Sequence, residues 1–126
     1  MSIKIRSETH WKQYAALVTI ILMFAVSFWV SSRPAGPPFP QWDKVLHAIS
    51  GGALAYTFLA FVKKPTGAIG WMLAVGIMFE IVEVQFVHPF EYGGLLQYLL
   101  DTAGDLAVEV IGAATLLWFI RRKSYG

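Results

Sequence analysis

The chain contains no cysteine and few charged residues. The lack of cysteine excludes disulfides, thiolate metal ligands and cysteine nucleophiles. Charged residues make up 14% of the sequence and hydrophobic residues 56%, against about 25% charged and about 45–50% apolar in soluble domains. The 126 residues suffice for one compact unit but are too few for two ordinary domains. We therefore expect a single membrane domain over residues 1–126.

Four long apolar segments cover most of the sequence, at about residues 12–32, 44–62, 67–87 and 101–120. A helix crosses a bilayer with roughly 20 apolar residues, so each segment is long enough to span. The first segment exceeds the apolar core of about 7–15 residues found in signal peptides, and we expect a retained anchor. The segments predict an all-α, polytopic membrane protein with a bundle of four transmembrane helices.

The connections between these segments carry signals that end or begin helices. The stretch "RPAGPPFPQWD" contains several prolines and a glycine, which should end the first helix. Asp43 is placed to cap the second helix. The stretch "HPFEYGGLLQYLL", residues 88–100, is apolar enough to lie in the membrane interface before the fourth helix begins.

The distribution of cations predicts the orientation of the helices. Most lysines and arginines would lie on one side of a four-span arrangement: Lys4, Arg6, Lys12, Lys63, Lys64, Arg121, Arg122 and Lys123. Cytoplasmic loops carry the excess of positive charge, so both termini should be cytoplasmic in a bacterial inner membrane, with lipid as the surrounding partner. The cations form no stripe with interleaved aromatic residues, which argues against nucleic acid as a partner.

Ionisable residues of three segments are expected at one depth, in the outer half of the bilayer. They are Asp43 and His47, then Glu80 and Glu83, then Asp101, Asp105 and Glu109. Spacings of three or four residues place each set on one helix face. Charges are costly in hydrocarbon, so these faces should meet in a pocket rather than face lipid. Small residues would permit the close approach: Gly51, Gly52, Gly76, Gly104 and Gly112.

The predicted pocket contains more negative than positive charge. It combines six carboxylates and one imidazole, with Lys44 as the nearest cation and Arg33 as a second candidate. So much negative charge cannot stay ionised and unpaired in a dry site. Either some carboxyls are protonated, or a cation is present: a metal ion, a substrate amine or the arginine of a partner.

A divalent metal is one interpretation of the pocket. Carboxylates and an imidazole suit Mg²⁺, Mn²⁺, Fe²⁺ or Zn²⁺, although the spacing does not match the H-E-x-x-H zinc signature. The candidate ligands are Glu80, Glu83, Asp101, Asp105 and His47.

Acid–base chemistry is a second interpretation. Carboxyl groups held in different environments can serve as acid and base. The candidate catalytic residues are Glu83, Asp105, Glu80 and His47. The candidate ligand-binding residues are Asp43, Lys44, Gln85 and Glu109. The expected ligand is amphipathic or lipid-linked, and it would reach the pocket from the outer leaflet.

Two interpretations without catalysis stay open. Buried carboxyl and imidazole groups can simply hold helices together, at about 0.6 kcal/mol per hydrogen bond. Ser50 and Thr102 are then expected only to bond the backbone or cap a helix. Alternatively, four short spans with little mass outside the membrane suit a small accessory subunit of a larger membrane complex, with partner subunits against its outward surfaces.

Three motifs resemble the VanZ-like membrane proteins: "WDKVLHAISGGALAY", "EIVEVQFVHP" and "DLAVEVIGA", which together cover roughly residues 42–114. The Asp-Lys-x-x-His start of that family is matched by Asp43, Lys44 and His47. The later motifs match Glu80 or Glu83 with Gln85, Phe86 and Pro89, and Asp105 with Gly112 and Ala113. The stretches "EIVE" and "DTAGD" are also similar to the YjdF-like inner-membrane proteins.

The resemblance implies a protein that acts at the cell-envelope surface, because the family's namesake is associated with low-level teicoplanin resistance. It implies no particular reaction. Two positions depart from the family pattern: Glu109 stands where asparagine is usual, and Phe90 and Glu91 follow the proline where arginine often stands. These departures add negative charge and remove a cation, which favours a bound cation or protonated carboxyls.

Overall fold

A computed structural model of the chain describes residues 2–31, 33–34, 41–85 and 93–124. Helices account for nearly all of these residues: α1 (Ser2–Ser31), α2 (Trp42–Val62), α3 (Pro65–Glu83) and α4 (Leu95–Ser124). The described part of the chain contains no strand, so the all-α prediction is confirmed. The predictions for Phe86, His88, Pro89, Phe90 and Glu91 lie outside the described residues.

Three of the helices, α2, α3 and α4, are long and apolar enough to cross a membrane. Only 17 to 22% of the residues in their apolar stretches are buried within the protein. Most of this apolar surface therefore points outward, where lipid accommodates it and water does not. This arrangement indicates an integral membrane protein. In α1 the described apolar stretch covers His10–Val26 and is shorter than the other three.

Side-chain contacts give the relative directions of α2, α3 and α4. Lys44, near the start of α2, bonds Asp101, near the start of α4, so these two helices run parallel. Trp71, near the start of α3, stacks on Phe58, near the end of α2, with ring centroids 6.1 Å apart. Helix α3 therefore runs antiparallel to α2. The beginnings of α2 and α4 and the end of α3 lie at one end of the structure, which we call the polar end.

Helices α2 and α4 approach each other closely because small residues face each other between them. A methyl group added at Gly112 would clash with the backbone carbonyl of Ala48. A methyl group at Gly51 would clash with the backbone of Glu109 in the same way. Close backbone contact of this kind is typical of membrane helices that associate through small residues. It brings the side chains next to these glycines, including His47 and Glu109, within direct reach of each other.

The buried core divides into an apolar part and a polar part. Ala55, Met72, Ala113 and Leu117 form an apolar cluster toward the end opposite to the polar end. The buried charged side chains of the described residues, Glu80, Asp105 and Glu109, all lie toward the polar end. The helices therefore pack through ordinary apolar contacts at one end and through ionisable groups at the other.

The starts of α2 and α4 differ from the predicted starts. Helix α2 begins at Trp42, and its N-cap residue is Gln41, in a left-handed conformation with φ of 62°. The prediction that Asp43 caps this helix was wrong: Asp43 lies within the first turn, where its charge still suits the positive end of the helix dipole. Helix α4 begins at Leu95, so the second half of the predicted connection to Leu100 is helical.

Candidate functional site

Lys44 connects three aspartates at the polar end. Its ammonium nitrogen lies 2.8 Å from Asp101 Oδ1 and 3.4 Å from Asp43 Oδ2, and it donates a short hydrogen bond to Asp105 Oδ1. Asp101 and Asp105 are four residues apart on α4, so both carboxylates face the start of α2. We call Asp43, Lys44, Asp101 and Asp105 the lysine cluster. Asp43 is exposed and Asp105 is buried, so this cluster extends from the surface into the protein.

His47 lies one helical turn after Lys44 and stands between two carboxylates of α4. Its Nδ1 is 2.8 Å from Glu109 Oε1, which is a hydrogen-bond distance. If Glu109 is ionised, its carboxylate only accepts, and the proton of this contact is then on Nδ1. The second ring nitrogen, Nε2, is 3.7 Å from Asp105 Oδ2, which is too long for a hydrogen bond.

Glu80 contributes a buried carboxyl group from α3. Thr102 donates a hydrogen bond of 3.2 Å to Glu80 Oε2, and the Tyr98 hydroxyl donates one of 3.2 Å to the Glu80 backbone carbonyl. Glu80 Oε1 is buried and has no hydrogen-bond partner among the described residues. The Glu83 carboxyl lies beside that of Glu80. We call His47, Glu80, Glu83 and Glu109 the histidine cluster.

Glu109 combines deep burial with an unsatisfied oxygen atom. Its side chain accepts one hydrogen bond, from His47, and Oε2 has no partner among the described residues. Only 4% of the residue is exposed. Oε2 lies directly over Gly76 of α3, where any side chain would clash with it. The glycine therefore makes room for the carboxylate, and the carboxylate is left with a free lone pair.

A small cleft opens beside Glu109 and His47. Its volume is about 40 Å³, which is enough for a water molecule or the end of a ligand. Helices α1, α2 and α3 supply its mostly apolar walls, which include Met23, Phe24, Leu46, Leu54, Val75 and Phe79. The polar groups that line it are His47, Ser50 and Glu109. The cleft thus has mostly apolar walls, and the Glu109 carboxylate is among its few polar neighbours.

Two sets of ligand atoms lie close enough together to hold a metal ion. One set consists of His47, Glu80 and Asp105, and the other of Asp43, Asp101 and Asp105, with atoms within 4.8 Å of one another in each set. The second set surrounds the Lys44 ammonium, which already supplies a cation. The first set has no such cation among the described residues.

The structure brings together most of the predicted site residues. The members of the lysine cluster and the histidine cluster all meet at the polar end. Gln85 does not join them: it is exposed in the turn after α3, and its side chain makes no hydrogen bond with the described residues. Arg33, considered as a second cation, lies over the Trp29 ring at 4.7 Å and forms no ion pair with a described carboxylate.

Sequence reasoning missed four residues of the site. Thr102 and Tyr98 hold Glu80 in place, whereas Thr102 was expected only to bond the backbone or cap a helix. Together with Asp105 and Glu109 they form a stripe on α4 at i, i+4, i+7 and i+11, a spacing that could have identified them. Met23 and Phe24 of α1 line the cleft, and no signal in the apolar first segment distinguishes them.

The comparisons with known proteins add no relative. No protein-family model, no curated protein and no solved structure matches this chain. The resemblance to the VanZ-like proteins stays a prediction.

Proposed function

We propose that the chain is a VanZ-like cell-envelope protein of the bacterial inner membrane. Its four helices all span the bilayer, both termini are cytoplasmic, and the polar end lies in the outer half. The pocket at this end binds or acts on an amphipathic or lipid-linked ligand. The observation that carries the proposal is the buried Glu109 carboxylate, whose unpaired oxygen lies beside an apolar cleft.

The shape and chemistry of the cleft suit the end of an amphipathic molecule. A ligand ammonium or hydroxyl could donate to Glu109 Oε2, and the apolar part next to it would contact Phe24 and Phe79. A volume of about 40 Å³ admits only a small group. The rest of the ligand would stay in the surrounding lipid, which agrees with access from the outer leaflet.

The positions of the cations support this orientation. Lys63 and Lys64 follow α2, and Arg121 and Arg122 are at the end of α4, so both pairs lie opposite the polar end. Since positively charged segments stay in the cytoplasm, the polar end would face outward. Helix α1 then has to cross the membrane to place the N-terminus inside.

The proposal is tested by the lipids that purify with the protein. Wild-type protein, Glu109→Gln and Thr57→Val would be purified from bacterial membranes, and their lipid extracts compared by mass spectrometry. Thr57 is a matched control, because its hydroxyl bonds only the Ala53 carbonyl of its own helix, away from the pocket. We expect one amphipathic species enriched with wild type and Thr57→Val. Glu109→Gln should lose about ten-fold or more of it, since a charge-assisted hydrogen bond contributes about 1.5–3 kcal/mol.

Identical lipid profiles in the three samples would contradict a ligand-binding pocket. A blue native gel of mildly solubilised wild-type membranes would then address the accessory-subunit alternative. A discrete species much larger than the 14.0 kDa chain would support that alternative. A small species would leave a structural role for the buried acids as the remaining interpretation.

A further inference from the structure

The geometry points to a divalent-metal site formed by His47 Nε2, Asp105 Oδ2 and one Glu80 carboxylate oxygen. The carboxylate of Glu109 holds the imidazole in position through Nδ1. The inference rests on the proposed function only in using the same pocket. The metal ion would balance the negative charge of the pocket, whether or not an amphipathic ligand binds there.

The separation of the ligand atoms fits a shared ion better than a direct bond. The 3.7 Å between His47 Nε2 and Asp105 Oδ2 is too long for a hydrogen bond. Two ligands of a tetrahedral ion with bonds of about 2.1 Å lie about 3.4 Å apart. His47, Glu80 and Asp105 each offer a ligand atom within 4.8 Å of the other two, so a Glu80 oxygen is the third ligand beside this pair.

The hydrogen bond on the far side of His47 is the one that metal-bound histidines make. A histidine that binds a metal through one ring nitrogen usually donates its other N–H to a carboxylate or carbonyl. Here Nδ1 lies 2.8 Å from Glu109 Oε1. In a neutral imidazole with its proton on Nδ1, Nε2 carries the lone pair, and it lies 3.7 Å from Asp105 Oδ2.

The unpaired oxygen of Glu80 is an independent indication of a ligand. Thr102 fixes Oε2, whereas Oε1 is buried and has no hydrogen-bond partner among the described residues. Only 6% of Glu80 is exposed. Burial of an ionised oxygen without a partner is unfavourable, and a bound cation removes that cost, as would a proton shared with the neighbouring Glu83 carboxyl.

The lysine cluster narrows the set of ligands. Asp101 bonds the Lys44 ammonium, and the same ammonium takes Asp105 Oδ1. Asp105 keeps Oδ2 for the metal. Of the five ligands that the sequence suggested, three remain, while Asp101 is engaged elsewhere and Glu83 is a neighbour of Glu80 outside the set.

The donor atoms indicate the class of metal. One imidazole nitrogen and two carboxylate oxygens, with no sulfur, suit Zn²⁺, Mn²⁺ or Fe²⁺. Three protein ligands leave a coordination position open, as in catalytic rather than structural zinc sites. A water molecule or an oxygen atom of a ligand could take that position.

The site is tested with Mn²⁺ on the full chain in detergent. Protein stripped with EDTA would be titrated with Mn²⁺, and free Mn²⁺ measured by electron paramagnetic resonance. We expect wild type to bind one ion per chain. Glu80→Gln keeps the size of the side chain and an acceptor for Thr102, and it should weaken binding about 100-fold or more, since loss of a supporting group alone costs about 10–100-fold. His47→Gln should do the same.

Asp101→Asn is the matched control, because it removes a carboxylate of the same end that lies outside the set. Its Mn²⁺ affinity should stay within about ten-fold of wild type, since Asp101 supplies no ligand atom and Lys44 still has Asp105 as a partner. Spin-echo spectra of the wild-type complex should show one directly bound nitrogen, absent in His47→Gln.

No Mn²⁺ binding by wild type, or equal binding by Glu80→Gln and wild type, would overturn the metal site. If His47→Gln fails to fold, the Glu80→Gln titration still decides. The lipid profiles described above involve no added metal, so the metal site and the ligand pocket can fail separately.

Discussion

The lysine cluster and the histidine cluster lie side by side but differ in how their charges are balanced. Each aspartate of the lysine cluster lies within 3.4 Å of the Lys44 ammonium. In the histidine cluster, Glu80 and Glu109 each keep one buried oxygen without a hydrogen-bond partner among the described residues. The first cluster explains how α2 and α4 are held together. The second is not explained by structure alone and calls for a proton, a metal ion or a ligand.

The two clusters also differ in how deeply their charged side chains are buried. Asp43 is exposed and Lys44 is partly exposed, so water can stabilise their charges. Glu80 and Glu109 are almost completely buried, at 6% and 4% exposure. The unpaired oxygens are therefore located where an unpaired charge costs most. A protein that used these groups only to join helices would be expected to pair them as it pairs the aspartates.

The largest effect is expected from removing the cation of the lysine cluster. Lys44→Met leaves Asp101 and the buried Asp105 without their partner, and breaking a buried ion pair in this way costs about 3–5 kcal/mol. We expect the free energy of unfolding, measured by SDS titration of the purified protein, to fall by about 3 kcal/mol, because Lys44 is partly exposed.

Lys44→Arg is the control for this prediction, since it keeps the positive charge. It should retain at least half of the lost stability. If Lys44→Met unfolds at the same SDS fraction as wild type, the lysine does not stabilise the charges of the aspartates. The two clusters would then not differ in how their charges are balanced.

A smaller effect is expected from forcing α2 and α4 apart. Both clusters depend on the close approach of these helices, and Gly112→Val would push against the Ala48 carbonyl. Overpacking of this kind costs about 1–3 kcal/mol, and we expect that loss in the same SDS titration. Gly70→Ala, at a position with open space around it, should stay within about 1 kcal/mol of wild type. Equal stability of the two variants would show that close approach is not required.

Much of the fold and of the two clusters could be predicted, because both depend on the spacing of residues along each helix. Spacings of three and four residues place polar groups on one helix face, and alternating helix directions bring those faces to one end. The assembly of His47, Glu80, Asp105 and Glu109 follows from these two rules. The all-helical fold follows from the length of the apolar segments.

The remaining details depend on packing, which sequence spacing does not encode. Asp43 was expected to cap α2, but Gln41 adopts the capping position and moves Asp43 into the first turn. The role of Thr102 depends on the distance between α3 and α4 at Glu80. Which aspartates Lys44 reaches depends on the close contact at Gly51 and Gly112. The cap of α2, the role of Thr102 and the partners of Lys44 therefore depend on three-dimensional distances, which the sequence does not give.

The most direct test compares two amide substitutions, one in each cluster, in the presence of EDTA. Asp105→Asn removes the buried one of the three carboxylates that pair with Lys44, and we expect the free energy of unfolding to fall by about 1.5–3 kcal/mol. Glu80→Gln removes a charge without a partner and keeps the acceptor for Thr102. Its free energy of unfolding should equal or exceed that of wild type. An equal loss of stability in both variants would contradict the difference between the two clusters.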